Sequence, residues 1–578
     1  MKTLMLGNEA VARGLYEAGC SFVSSYPGTP STEITECIAT YKEVYAEWAP
    51  NEKVAMEAAF GASLAGKRSF CATKHVGLNV AADPLFTIGY TGVNAGMVIG
   101  VADDAGMHSS QNEQDSRHYA RASKIPMLEP SDSAEALAFT KLAYDLSEEF
   151  DTPVFIKMCT RVSHSQSIVE PGDRIETSKT YEKNPQKYIM MPGNAKRRHP
   201  IVEERTQKLA NWAETAPINR IEEGSDHKYG IITSSTSYQY VKEVFGDTYP
   251  VLKLGMIWPL PKQKIIDFAK AVETLVVVEE LDSFIETHCR QLGIECVGKD
   301  MFPCIDEFSQ NLVAEKLGIS VEPGTKLDAA IPARPPVMCA GCPHRGLFYT
   351  LAKNKVTALG DIGCYTLGAV PPLGALDTTI CMGASFSGMH GFTKAGGAEG
   401  RKVVAVIGDS TFMHSGMTGL VNKAYNESCG TVIIVDNSIT GMTGHQQNPT
   451  TGFNLKGDPC TKIDLETLCH AVGIRRVRVV DPYDLAQCDA AIKDETAVDE
   501  PSVIISRRPC ALLKYVKHKK PIIANPDKCV GCKACMKIGC PAISIIDKKA
   551  HIDNTLCTGC GVCAQLCKFD ALQAAKED

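Results

Sequence analysis

At 578 residues the chain has the length of about four ordinary domains, and with 44% hydrophobic and 22% charged residues its composition is that of a globular protein. A formal net charge of -7 excludes a general nucleic-acid-binding surface. The opening Met1–Glu9 stretch has too short an apolar run for an export signal, and no later run reaches the ~20 residues of a membrane span, so the expected location is the cytoplasm with no membrane contact. Twenty-four cysteines in a long chain of this kind suggest metal or redox chemistry rather than disulfides, and eight of them crowd between Cys529 and Cys567.

In chain order, residues 1–165 alternate helical and strand patterns, as a doubly wound α/β domain does. Gly7–Ala18 reads as an amphipathic helix and Ser21–Ser25 as a strand ending at Tyr26-Pro27-Gly28-Thr29-Pro30-Ser31. That loop either lines a ligand crevice, with Thr29 as the candidate, or is a rigid turn. Asn51–Gly66 is a helical stretch of small residues with Glu52 in its first turn, where a carboxylate also favours the helix dipole; Glu57 reads as a surface position. Gly61–Arg68 almost spells a phosphate-binding loop, but Arg68 stands where the metal-binding hydroxyl should be, and that reading is rejected. Two polar loops follow strand-like runs, Lys74–Asn79 and Asp103–Asp115. They carry His75 and His108, candidates for binding a substrate carboxylate or moving a proton, although a loop histidine is more often structural. Residues 166–227 lose periodicity and read as a solvated connector with some helix near Val202–Thr215 and a basic cluster at Lys196–His199. Residues 228–325 show a third α/β pattern to which no catalysis is assigned.

The region 330–520 begins with Cys339-Ala340-Gly341-Cys342. Two thiols two residues apart mean zinc, a redox pair, a cluster, or a loop lining a cofactor, and the last is preferred for Cys339, Gly341 and Cys342. Asp361–Tyr365 and Met382–Ser385 end apolar runs in small residues and add Gly363, Cys364 and Gly383. In the stretch from Lys402 to Gly444, Val403–Ile407 is a β-branched run that stops at Gly408-Asp409-Ser410; a helix near Met417–Asn426 follows, and Thr431–Val435 repeats the pattern and stops at Asp436-Asn437. Parallel strands joined by a helix set their carboxyl ends side by side, so Asp409 and Asn437 should meet in the crevice. One carboxylate, one amide oxygen and a carbonyl such as that of Ile439 suit magnesium carrying phosphate oxygens. Gly441 and Met442–Gln446 would cover the phosphates. The plainer alternative is an ordinary crossover whose Asp and Asn make turns.

Cys529, Cys532, Cys535 and Cys540, then Cys557, Cys560, Cys563 and Cys567, form two runs of ferredoxin type. Each triplet wraps one 4Fe–4S cluster and the fourth cysteine of each run reaches the other. Cys529, Cys532, Cys535 and Cys567 are thus assigned to one cluster, and Cys540, Cys557, Cys560 and Cys563 to the second. The extra residue before Cys540 and Lys568 after Cys567 depart from the bacterial pattern, and Ala542–Ile546 with Ala550–Ile552 supply the short hairpin of that fold.

The stretch from Gly408 to Asn437 resembles the thiamine diphosphate motif, with Ser410 in place of its second glycine and Asp436 in place of its first Asn. Asn51–Gly66 resembles the helix that meets the aminopyrimidine ring in such enzymes, which makes Glu52 the acid that hydrogen-bonds that ring. Taken with CAGCPHRG, DIGCYTLG, HSSQNEQDSRHYARASKIPMLEP and the terminal cysteines, essentially the whole chain resembles the 2-oxoacid:ferredoxin oxidoreductases.

The resemblance implies several doubly wound thiamine diphosphate-binding domains plus a small α+β two-cluster ferredoxin domain. The parts are a pyrimidine-side domain at 1–165, the connector, a transketolase C-terminal-like domain at 228–325, a diphosphate domain at 330–520 and the cluster domain at 521–578. It further implies thiamine diphosphate, Mg2+ and two 4Fe–4S clusters as cofactors. Oxidative decarboxylation of arylpyruvates such as indolepyruvate would begin at the thiamine ylid, reduce ferredoxin one electron at a time and give the acyl group to coenzyme A. A small β subunit and an α2β2 assembly are expected. The alternatives are another 2-oxoacid range and a non-oxidative thiamine decarboxylase.

Overall fold

The computed structural model describes residues 2–320, 328–332, 334–396 and 403–574. Lys402, which opens the diphosphate stretch, and the 325 limit of the third region lie outside the described residues. The chain divides into two compact units, Met1–Lys326 and Leu327–Asp578.

The first unit is built on a seven-stranded sheet in the order Met256–Trp258, Met127–Leu128, Val154–Cys159, Met97–Asp103, Ser69–Lys74, Phe22–Ser25, Tyr45–Trp48. All neighbours are parallel except Met256–Trp258, which runs antiparallel to Met127–Leu128. The three strands at its centre are buried at every position, as parallel strands covered on both faces are. Thr3–Leu6 and Gln166–Val169 pair apart from it. A second sheet, Thr274–Val278, Tyr229–Ser234, Val251–Leu254 and antiparallel Arg220–Glu222, follows in the same unit. Because Met256–Trp258 belongs to the larger sheet, the third region is sewn into the first.

The segment at 166–227 is more than a solvated connector. It holds a helix of 24 residues, Pro192–Thr215, with Arg198, Val202, Arg205, Leu209 and Ala213 buried. Arg205 donates to the carbonyls of Gly89 (2.6 Å) and Asp151 (2.7 Å), and Arg198 to that of Tyr90 (2.8 Å). These cations meet the carbonyl end of the helix Ala82–Thr91, where positive charge is favoured. Part of the basic cluster is therefore interior structure.

Buried ions fasten the two sheets of this unit. Arg117 donates to Asp115 (2.8 Å) and to Glu279 (2.6 Å), which follows the strand Thr274–Val278, while Lys157 pairs with Glu129 (2.6 Å) and lies 3.4 Å from Asp103. All six side chains are buried.

The second unit carries a five-stranded parallel sheet in the order Thr357–Leu359, Val403–Gly408, Gly430–Asp436, Pro501–Arg507, Arg476–Val480. Alternate residues serve opposite faces. Val404, Val406 and Ile433 pack with Leu347, Leu351 and Ile492 from helices His344–Asn354 and Leu485–Thr496. Ala405, Ile407, Val432 and Ile434 pack with Phe386, Met389, Leu420 and Leu465 from the helices Ala384–Gly396, Met417–Tyr425 and Leu465–Ala471. This is a doubly wound layer. In the tail, Ile522–Ala524 pairs with Leu572–Ala574 and Ile543–Ile546 with Lys549–Ile552, both antiparallel. Among the described residues no helix is long and apolar enough to cross a membrane.

Replacing Arg117 by Met leaves Asp115 and Glu279 as unpaired buried charges, which costs about 3–5 kcal/mol. Urea unfolding of the purified variant should show that loss as a lower midpoint.

Candidate active site and cluster cavities

In the first unit three loops meet beyond the carboxyl ends of neighbouring parallel strands, where open α/β sheets bind ligands. The Thr29 carbonyl accepts from Ser109 Oγ (3.2 Å), the Ser109 carbonyl accepts from Lys74 Nζ (3.0 Å), and His75 Nε2 lies 3.1 Å from the Asn112 carbonyl. Asp104 organises the third loop, taking hydrogen bonds from Ser109 N (2.8 Å), Ser110 Oγ (2.6 Å) and Thr160 Oγ1 (2.8 Å). His75 is buried, and its Nδ1 has no hydrogen-bond partner among the described residues. His108 is 46% exposed and pairs with Glu307 at 3.2 Å, while Glu113 in the same loop accepts from Asp306 N (3.1 Å). The structure thus sets His75 inside the site and His108 on its rim, tied to residues 306–307.

Glu52 opens the helix Glu52–Leu64, capped by Asn51, and is 5% exposed. Its carboxylate lies so close to the helix His75–Val80 that a Cβ on Gly77 would sit 2.3 Å from Oε1. Glu57, by contrast, is exposed and pairs with Lys53. Lys74 is a residue that sequence reasoning passed over. Burial pushes its ammonium pKa down, and Asp104 and Glu52 pull the other way. The available signal was a lysine ending an otherwise uncharged buried strand beside His75.

In the second unit Asp409 and Asn437 emerge from adjacent parallel strands, as the spacing required. Asp409 is 2% exposed. Its Oδ1 accepts from Ser410 N (2.8 Å) and its Oδ2 lies 3.3 Å from Thr450 Oγ1. Burial, and after it the neighbouring Asp436, pushes the Asp409 carboxyl up to about 8, while Asp436 itself is paired with Arg507 Nε at 2.9 Å. A carboxylate so placed either keeps a proton or holds a cation. Asn437, Thr450 and Asn448 add oxygen donors of the kind a hard divalent ion takes, so the residues present fit magnesium. Ser410 Oγ accepts from Thr440 Oγ1 (2.9 Å), and Asn448 Nδ2 donates to Thr440 (3.3 Å), giving a hydroxyl-lined rim suited to phosphate. Thr440, Asn448 and Thr450 were not found from sequence. Their only signal was the polar composition of the stretch from Thr440 to Thr451.

The supporting loops are tightly fixed. Asp361 accepts from Gly383 N (2.9 Å) and Ser385 N (3.0 Å), joining the two small-residue loops. Gly383 has φ +90, and a Cβ there would lie 2.6 Å from Ser415. A side chain on Gly363 or Gly408 would strike Tyr365 at 2.4 or 2.7 Å. The helix expected to start near Met417 is preceded by a helical turn, Asp409–Thr411, and a wider one, Phe412–Gly416, so the chain coils as soon as it leaves Asp409. A Cβ on Gly441 would approach Cys364 Sγ at 3.2 Å. Cys364 is itself pushed up to about 11 by burial and by Cys510 and Cys339, and Cys342 to about 12 by burial opposed by His344 N and Arg345, with Cys339 and Cys364 adding to the rise. Thiols from three loops thus act on one another, and Cys510 is the member that sequence spacing did not reveal.

The eight tail cysteines line two small cavities. One is bounded by Cys529, Cys532, Cys535 and Cys567 with Val530, Ile545 and Leu572. The other is bounded by Cys540, Cys557, Cys560 and Cys563 with Ile522, Ile543 and Val562, and also by Gly341, Cys342 and Arg345 of the diphosphate domain. Backbone amides point at the sulfurs: Ala550 N at Cys529 (3.3 Å), Ala571 N at Cys567 (3.2 Å) and Ile522 N at Cys557 (3.4 Å). Such bonds favour a thiolate over a thiol, and no disulfide joins these cysteines in the structure. Two apolar cavities with four sulfurs each fit two cubane clusters.

Comparison with known proteins agrees. Residues 13–221 match the pyruvate flavodoxin/ferredoxin oxidoreductase thiamine diphosphate-binding family, 361–506 the C-terminal thiamine pyrophosphate-binding domain of thiamine pyrophosphate enzymes, and 521–568 the 4Fe-4S dicluster domain. An indolepyruvate oxidoreductase subunit IorA from Archaeoglobus fulgidus is 40% identical over 100% of this chain and 98% of its own length. The chain belongs to the IorA family. The IorA of Pyrococcus horikoshii is likewise 40% identical, over 100% of this chain and 97% of its own, and a 2-oxoglutarate synthase subunit KorA from Archaeoglobus fulgidus is 26% identical over 48% and 88%. This IorA-family chain is an oxidoreductase that uses thiamine diphosphate and 4Fe–4S clusters to oxidise a 2-oxoacid and pass on its electrons.

Two outcomes follow for the site. Gly77→Ala should drive Glu52 from its place and lower turnover by about 10²-fold, the scale of one lost acid–base group, while the fold persists by circular dichroism. Because the Asp409 pKa is raised, its own contribution to the stability of the metal-free protein is fully present below the ordinary carboxylate range and is lost as pH rises through about 8. Magnesium affinity should climb over the same interval with proton release, measured by calorimetry in buffers of different ionisation heat, and Asp409→Asn should remove both trends.

Proposed function

We propose that this chain is the catalytic subunit of an enzyme that converts an arylpyruvate, indolepyruvate being the leading substrate, and coenzyme A into aryl-acetyl-coenzyme A, carbon dioxide and a proton, with two electrons passed to ferredoxin. The observation that carries this reading is that a buried carboxylate at the end of a parallel strand, with no cation paired to it among the described residues, and two four-thiol cavities occur in one compact unit. The substrate class rests on the names of full-length relatives at 40% identity.

Asp409, Asn437 and the Ile439 carbonyl would hold Mg2+, with Thr450 beside them, and Ser410, Thr440 and Asn448 would receive the diphosphate. Thiamine diphosphate, when bound, supplies the carbon nucleophile that lets the 2-oxoacid lose carbon dioxide. Glu52 would hold the proton shared with the aminopyrimidine ring. Lys74 and His75 would receive the substrate carboxylate, with His108 and Thr29 at the rim. Gly341, Gly363, Gly383 and Gly441 let the loops of Cys339, Cys342 and Cys364 close around the cofactor. Cys529, Cys532, Cys535 and Cys567 would hold one cluster and Cys540, Cys557, Cys560 and Cys563 the other, groups that would supply single-electron transfer. A small β subunit, an α2β2 assembly and a cytoplasmic location complete the proposal.

The test is a ferredoxin-linked assay of the complex with its partner subunit across a panel of 2-oxoacids. Arylpyruvates should be preferred by at least about tenfold in kcat/KM, and reduction should require coenzyme A. Asp409→Ala should abolish thiamine diphosphate binding, whereas Glu52→Gln should bind it and turn over about 10²-fold more slowly. Aldehyde release at full rate after Cys529→Ser and Cys557→Ser would replace this reading with a non-oxidative decarboxylase.

A further inference from the structure

Arg345 is buried where the loop Cys339–Cys342 meets the cluster domain. Its Nε donates to the Cys339 carbonyl (3.1 Å) and another nitrogen to that of Met338; Nη1 donates to the carbonyls of Ile538 (3.1 Å) and Gly539. One guanidinium therefore holds two turns at once, the second being the turn that delivers Cys540. The two loops also interlock elsewhere: Gly341 has φ +68 and lies so near Thr558, between Cys557 and Cys560, that a Cβ would come within 2.1 Å of its hydroxyl. Tyr483 further donates to the Gly341 carbonyl.

The charge on Arg345 has no carboxylate partner among the described residues. Among the described residues all its hydrogen bonds end on carbonyl oxygens; burial lowers its pKa, and the groups that oppose burial are the neighbouring cysteines, Cys540 foremost. Arg508, also near Cys560, differs because Asp481 neutralises it at 2.8 Å. A buried cation that lines a four-thiol cavity and has no carboxylate partner among the described residues matches a site that is anionic when filled.

We propose that Arg345 is a positioning residue for electron transfer, locking the Cys339–Cys342 loop onto the cavity of Cys540, Cys557, Cys560 and Cys563 and favouring the reduced form of the cluster held there. The inference rests on that cavity holding a 4Fe–4S cluster. A cube bound by four thiolates gains one negative charge on reduction, and a fixed buried cation beside it stabilises the more negative state. The cavity of Cys529, Cys532, Cys535 and Cys567 has a different cation at hand, Lys549, whose ammonium donates to the Cys529 carbonyl (2.6 Å), so its potential should be indifferent to Arg345.

The experiment is a redox titration of the full chain with its clusters, followed by electron paramagnetic resonance, for wild type, Arg345→Gln and Arg345→Lys. In Arg345→Gln one of two midpoints should fall so that the reduced-to-oxidised ratio at fixed potential drops about tenfold, about 59 mV for one electron, while the other stays. Arg345→Lys, which keeps the charge, should stay within about threefold of wild type. Unmoved midpoints in Arg345→Gln at full iron content, or equal movement of both, overturn the proposal, as does a Lys variant that shifts as far as the Gln variant. If Arg345→Gln fails to load iron, Arg345→Lys decides alone: a shift of tenfold or more overturns it. Fewer than about eight irons in wild type would instead count against the cluster reading itself.

Discussion

The second unit depends on one electrostatic constraint, a carboxylate placed where water cannot reach it. Val403–Gly408 is buried along its whole length, so Asp409 leaves the strand into a closed crevice. The next strand ends in Asp436, and the one beyond it in Arg507, which takes Asp436 as its partner. Asp409 is left with the amides of Ser410 and Ser438 and the Thr450 hydroxyl. In a low-dielectric site that is too little to keep a negative charge, and the remaining choices are a proton or a cation. The loops around it have the stiffness such a site needs. Gly363 and Gly408 press on Tyr365, Thr411 bonds the Ile362 carbonyl at 2.9 Å, and Asp361 ties the loop of Gly383 to the loop of Cys364.

The first unit buries more charge than the second without creating the same demand. Arg117, Asp115 and Glu279, like Lys157, Glu129 and Asp103, are of mixed sign and meet at hydrogen-bond or ion-pair distance, so their desolvation is offset locally. Those groups fasten sheets together. Lys74, Asp104 and His75 sit one step further along the same strands, at loop level, with more of their bonds going to backbone and hydroxyl groups.

Much of this was legible in sequence because it is local. Buried β-branched runs ending in Gly408-Asp409 and Asp436-Asn437 place two strand ends without any coordinates, and eight cysteines at fixed spacing assign themselves to two groups that the cavities reproduce. Helix and strand periods carried the doubly wound class for the same reason. What was hidden is long-range. Thr450 reaches Asp409 from 41 residues away, Cys510 joins Cys364 only through the sheet order, and Met256–Trp258 crosses to a strand at 127–128. Of the helix Pro192–Thr215 only the part from Val202 was legible, since the first turns are polar and bury Asn194 and Arg198 rather than an apolar stripe.

The cluster domain shows how cofactor and core become the same thing. Residues 521–578 are too few to bury a large apolar core, and the cluster of buried side chains there includes Cys535 and Cys563 beside Ile522, Ile538, Ile543, Ile552, Val562 and Leu572. Each set of four sulfurs surrounds a cavity, so without a filling group the centre of the domain would lack contacts on one side. Filling and folding are then one equilibrium, as in other small metal-dependent domains. The two cavities do not share that dependence equally with the rest of the unit. The one bounded by Cys540 and Cys560 is the wall against which Gly341, Cys342 and Arg345 pack, whereas the other is walled by tail residues alone. Emptying the first should therefore loosen the loop of Cys339 as well as the tail, and emptying the second should stay a local event.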